Sequence, residues 1–167
     1  MQNTCSSPKS LIFTSLAVAL AASSAFLAAL ASEIPTTPAR DPWVASQLIA
    51  PVKLAKELAE PRSQRPRVVC VGFEVLYRGA HVPGARYAGP ARQPSGVAEL
   101  KRWAAALPKN TPIVIYCGCC PMKRCPNVRP AFAVLRQEGF TCVRVLNLPD
   151  SFAQDWVEKG YPAIRGE

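Results

Sequence analysis

The chain has 167 residues, enough for one ordinary domain with a real hydrophobic core, and apolar residues make up 49% of it. Its formal net charge is +9, yet arginine is scattered through it without a basic run, which argues against a nucleic-acid partner. A small anion or an anionic surface suits such a balance better.

The first segment reads as an address. Lys9 precedes LIFTSLAVALAASSAFLAALA, residues 11–31, which carries no charge and ends in Ala29-Leu30-Ala31 before Ser32. Residues 1–31 are therefore expected to be a secretory signal peptide, giving a periplasmic or secreted protein. The alternative is an uncleaved N-terminal anchor with the domain facing outward, since about 20 apolar residues suffice to span a bilayer. Cys5 lies ahead of the apolar run and is not placed for lipid attachment. Residues 32–45, SEIPTTPARDPWVA, are Pro-rich and aperiodic and read as a linker.

Next, Pro51 opens VKLAKELAE, whose Val52, Leu54, Ala55 and Leu58 form a helical stripe. RPRVVCVGF, residues 65–73, is a short β-branched run, and turn residues in GAHVPGARYAGP, 79–90, flank a short strand at Ala85–Tyr87. GVAELKRWAAAL repeats at helical spacing and is expected to stop at Pro108. Thr111-Pro112 leads into a strand at Ile113–Tyr116. Residues 130–138 form a third amphipathic helix, closed by Gly139. TCVRVLNL, 141–148, is another strand, and SFAQDWVEKG a final short helix ended by Gly160. Alternating short strands and amphipathic helices imply an α/β fold, a small parallel sheet flanked by helices on both faces.

Between the 113–116 strand and the 130–138 helix lies the densest chemistry. A signal-cleaved chain keeps Cys70, Cys117, Cys119, Cys120, Cys125 and Cys142, and four of these six fall within nine residues. A disulfide framework spreads its cysteines to bridge distant parts, so this crowding fits stapling poorly. A cysteine at a strand end, before a loop and a helix start, meets backbone N–H groups and the positive helix terminus, both of which favour a thiolate. Cys117 is thus the candidate nucleophile. Gly118, Cys119, Cys120, Pro121, Met122, Lys123, Arg124 and Cys125 form the loop around it, and Arg129 sits at the helix start. Lys123, Arg124 and Arg129 are candidates to attract an anionic substrate, and the other loop cysteines to resolve or brace. Such dense thiolates would suit Cu(I) or zinc, but no histidine or second cysteine pair supplies separated ligands, so no metal or other cofactor is expected. His81 reads as a hydrogen-bonded turn residue, Cys70 and Cys142 as strand residues in the core, and Trp103, Trp156 and Tyr116 as packing.

Five landmarks in order resemble the rhodanese homology domain. They are the opening helix IAPVKLAKELA (49–59), the strand RVVCV (67–71), the turn GAHVPGA (79–85), the strand IVIYC (113–117), and an aromatic helix ending in Gly160-Tyr161-Pro162. The resemblance covers residues 46–163, and the loop CGCCP…CPN…RPAF is similar to that of an exported subgroup. It implies that Cys117 accepts sulfane sulfur from a donor such as thiosulfate, holds it as a persulfide in a cradle of N–H groups, and passes it to cyanide or a thiol. Two features depart from the pattern. Cys70-Val71-Gly72 stands where an Asp-x-Arg element is usual, and the loop is longer than the usual six residues. Cys-x5-Arg phosphatase chemistry is not supported, because Lys123 lies six positions after Cys117. Thiol–disulfide exchange with a redox partner protein, and a metal- or partner-binding module, remain as other readings of the same loop.

Overall fold

The computed structural model describes residues 41–166. The expected signal or anchor, and most of the expected linker, lie outside them. Among the described residues no helix is long and apolar enough to cross a membrane. The folded unit starts earlier than residue 46, at Asp41. Trp43 is buried and packs edge-on against Phe132, with ring centroids 5.6 Å apart, so the end of the expected linker belongs to the core.

Five parallel strands make one sheet: β1 (Leu48–Ile49), β2 (Arg67–Cys70), β3 (Arg86–Tyr87), β4 (Ile113–Tyr116) and β5 (Val143–Leu146), in the order β1-β5-β4-β2-β3. Among the described residues four α-helices cover it, α1 (Pro51–Ala59), α2 (Glu74–Gly79), α3 (Pro94–Ala105) and α4 (Val128–Gln137), with a short π-helical turn near the C-terminus. The chain therefore has the expected α/β architecture. β4 is central, and all four of its residues are buried because helices cover both sides. Its side chains alternate. Ile113 and Ile115 pack with Leu100 and Ala104 of α3 and with Ala131, Phe132 and Leu135 of α4. Val114 and Tyr116 pack with Leu54 of α1 and with Trp156. Each fully buried Ile or Leu contributes about 1.5–3 kcal/mol, so these two layers supply most of the driving force.

Local chemistry explains where elements begin and end. Pro51 and Pro94 occupy the first turns of α1 and α3, where a missing N–H costs nothing. α3 stops two residues short of the position expected from Pro108, because Leu107 N–H turns back to Ala104 O. α4 starts two residues earlier than expected, at Val128, since Pro130 is tolerated in a first turn. Gly139 has φ +89° and closes α4 as anticipated. The last helix is a π turn over Ala153–Val157, opened by Asp155, whose carboxylate accepts the N–H groups of Asp150 and Ser151. Cys142 precedes β5 rather than lying in it and is half-buried, so only Cys70 matches the expected strand-core position. Trp156 is buried and Trp103 half-buried against the α3–α4 layer. A two-oxygen ion pair between Arg144 and Glu57, at 2.8 and 2.6 Å, ties β5 to α1.

Candidate active site

The alternation along β4 carries one step past the strand: Tyr116 faces the α1 layer and Cys117 joins the α3–α4 layer. Gly118 has φ +82°, and a Cβ there would lie 2.9 Å from Phe152 Cβ. Only glycine makes this turn against that ring. The loop then runs through a 3-10 turn at Met122–Arg124 and is tied to the end of β5 by Met122 N–H donating to Leu148 O at 2.9 Å. Met122 and Cys125 are buried, while Lys123 and Arg124 are exposed on the turn.

The loop folds its cysteines inward on Cys117. Cys117 Sγ lies 3.1 Å from Cys119 Sγ, which lies 3.1 Å from Cys120 Sγ. The sulfurs of Cys117, Cys119 and Cys125 all lie within 4.8 Å of one another. All four loop cysteines, and Cys70, are free thiols. Burial pushes the Cys119 thiol up to about 12 and raises Cys120 as well. The Cys125 thiol is raised by its hydrogen bond with Cys117 and by burial, against the pull of the Asn127 and Val128 backbone N–H groups. Those helix-entry N–H groups were expected to serve Cys117, and they meet Cys125 instead.

Cys117 has a different polar partner. Asn127 Nδ2 donates to Cys117 Sγ at 3.3 Å, and Asn127 Oδ1 accepts Arg92 N–H at 3.0 Å. Asn127 is buried and stands at the N-cap of α4, yet its side chain makes no cap bond. Sequence reasoning missed it, because an asparagine before a helix signals only a cap. In the sequence Gly72 stands out only as part of the departure after β2. A Cβ on it would collide with Cys117 O and come within 2.9 Å of Cys117 Sγ, so the glycine gives the nucleophile its space.

Arg129 is brought to the loop as a brace. Its guanidinium donates to Lys123 O at 2.7 Å and Cys125 O at 3.3 Å, pairs with Asp41 at 2.6 Å, and lies over the Trp43 ring. His81 is hydrogen-bonded as expected but lies in an antiparallel bridge with Ile164 rather than in the turn, which falls at residues 83–84: its Nδ1 donates to Tyr77 O at 2.9 Å and its ring stacks on Tyr77. Tyr116 packs in the sheet and accepts Val82 N–H. A cavity of about 280 Å³ opens against Cys117 and Gly118, walled by Tyr77, Tyr116, Phe152 and Val157, and among the described residues Arg165 is the single charged one lining it.

No sequence-family model and no curated protein matches the chain. Among solved structures it is similar to the crystal structure of the Alr3790 protein from Anabaena sp., with TM-score 0.52 and 21% identity over 71% of this chain and 92% of that one. It is also similar to the solution structure of the rhodanese-like domain of the same protein, with TM-score 0.51 and 21% identity over 71% and 79% of the two chains. The fold is that of rhodanese-like domains.

Proposed function

We propose that this chain is an exported single-domain sulfurtransferase that carries sulfane sulfur on Cys117 and hands it to a thiol or cyanide-like acceptor. The observation that supports it best is the placement of Cys117 on the central strand's end, its sulfur met by the Asn127 amide. The Cys117 thiolate attacks the outer sulfur of thiosulfate. The donor's S–S bond breaks, sulfite leaves with the electron pair, and a Cys117 persulfide remains. An acceptor nucleophile then takes the terminal sulfur, and Cys117 leaves as thiolate; with cyanide the product is thiocyanate. Lys123 and Arg124, exposed on the loop, raise the local concentration of an anionic donor. The cavity beside Cys117, apolar with one arginine, suits an acceptor with a small organic body and an anionic group.

The reading is tested by thiosulfate-to-cyanide turnover. Parent protein should form thiocyanate and Cys117→Ser should not, with unchanged circular dichroism. Full activity in Cys117→Ser, with loss in Cys119→Ser or Cys120→Ser, would assign the nucleophile elsewhere. Export rests on Lys9 and the uncharged 11–31 segment, and N-terminal sequencing of protein from its host should begin near Ser32.

A second reading, thiol–disulfide exchange with a partner protein, is favoured by the 3.1 Å contact between Cys117 and Cys119. It predicts reduction of a dithiol-reactive disulfide substrate at a rate that survives without any sulfane donor.

A further inference from the structure

We propose that the same loop is a binding site for one monovalent copper ion, held in a trigonal arrangement by the sulfurs of Cys117, Cys119 and Cys125. Around a three-coordinate ion with metal–sulfur bonds of about 2.3 Å, the sulfurs stand about 4 Å apart. These three already lie within 4.8 Å of one another, and the closest pair, Cys117 and Cys119, needs to open from 3.1 Å by less than an atomic radius. Glycine at position 118, at φ +82°, is the conformationally free link between that pair.

The donor set selects the ion. All three ligands are soft thiols, Met122 adds a buried thioether to the same apolar cluster, and such surroundings favour Cu(I). Zinc takes four ligands in closed sites. Cys120 touches Cys119 and is hydrogen-bonded with Cys125 but stands outside the mutually close set, and His81, the one histidine, is held against Tyr77. Among the described residues three sulfurs form a mutually close set, and Cys120 is not part of it.

The outer groups suit a charged thiolate centre. Asn127 Nδ2 donates to Cys117 Sγ, and the Asn127 and Val128 backbone N–H groups reach Cys125 Sγ at the start of α4. Hydrogen bonds of this kind offset thiolate charge and fix ligand orientation. Cys117 and Cys125 are buried, which shields the ion from water and oxidants. Because Cys117 is shared, an ion in this site and a persulfide on Cys117 exclude each other.

The site is tested with the full chain, reduced and never exposed to a sulfane donor, so that the outcome does not depend on the sulfur-transfer reading. Cu(I) is added anaerobically against bicinchoninate, and retained copper is measured with circular dichroism as the fold check. Parent protein should hold one equivalent, and its X-ray absorption should show three sulfur neighbours at about 2.3 Å. Outer-shell changes cost about 10–100-fold in metal affinity, so Cys117→Ser, Cys119→Ser and Cys125→Ser should each weaken retention by at least about 100-fold. Cys120→Ser should leave it unchanged. Cys119 is half-buried, so its variant stays interpretable if replacement of buried Cys125 unfolds the protein. Copper held equally well without Cys119, or a site that prefers Zn(II) and needs Cys120 as much as Cys119, would overturn the proposal.

Discussion

Asn127 hands its amide N–H to Cys117 across 3.3 Å while its carbonyl oxygen holds Arg92 N–H at 3.0 Å. One buried side chain thereby links the reactive sulfur to the loop before α3, and both of its ends are engaged. The two ends can be separated by substitution. Asn127→Ala should lower thiosulfate kcat/KM by about tenfold and cost about 1–3 kcal/mol of stability, because Arg92 N–H loses its acceptor. Asn127→Asp keeps an acceptor for Arg92 but sets a carboxylate against the sulfur. It should lose as much activity, retain more stability, and move the pH profile of turnover to higher pH. Equal activity in all three proteins would remove Asn127 from the site.

Gly72 should resist the smallest substitution. Gly72→Ala places a Cβ against the Cys117 carbonyl and 2.9 Å from its sulfur, and the first of these contacts is backbone, which does not yield cheaply. A loss of about 1–3 kcal/mol in urea unfolding is expected, together with impaired turnover. Gly79, where a Cβ meets nothing within 4 Å, is the control: Gly79→Ala should be neutral or slightly stabilising.

Stability should fall in alkali. Burial raises the Cys70 thiol from 9.0 to about 11 and holds Tyr116 well above 10, so the folded state keeps protons that the unfolded state releases. The contribution is complete below pH 9 and is lost as pH rises from 9 through 11. For Cys70 it is on the order of 2–3 kcal/mol. Urea midpoints at pH 8 and pH 11 should show the drop, and Cys70→Ala should reduce the difference.

Neighbouring thiols should tie activity to redox state. Cys119 or Cys120 can attack a Cys117 persulfide, forming an intramolecular disulfide and expelling hydrosulfide. Mild reduction should therefore raise sulfur transfer strongly over that of air-oxidised protein, and the gain should vanish in a Cys119→Ser/Cys120→Ser double variant. Cys119 sits at about 12, so its thiolate fraction, and with it persulfide decay, should rise about tenfold per pH unit above neutrality. Equal rates in reduced and oxidised samples would contradict this gating and favour a bracing disulfide.

Much of the fold was legible because it rests on period and punctuation. β4 was readable to the residue, since Ile113–Tyr116 is a β-branched run between Pro112 and a cysteine, and Gly139 marked the end of α4. β1 has two residues, too few to show alternation, and α2 exposes Val75 and Leu76, so neither carries a pattern. Trp43 lay in a Pro-rich stretch, and its burial depends on Phe132, some ninety residues away in the chain. In the site, the strand-end position of Cys117 was visible. The inward fold of Cys119 and Cys125 was not, because ligand-spacing rules look for separated pairs and this loop closes on itself. The roles of Asn127 and Gly72 depend on contacts across 10 and 45 residues, which no local signal encodes.

Intact and peptide-level mass spectrometry of reduced protein treated with thiosulfate, before and after cyanide, tests the central claim most directly. The account predicts one added sulfur atom, located on the peptide bearing Cys117, removed by cyanide as thiocyanate and absent from Cys117→Ser. Protein that gains no sulfur, or that carries it on Cys119, Cys120 or Cys125 with Cys117 replaced, would contradict it.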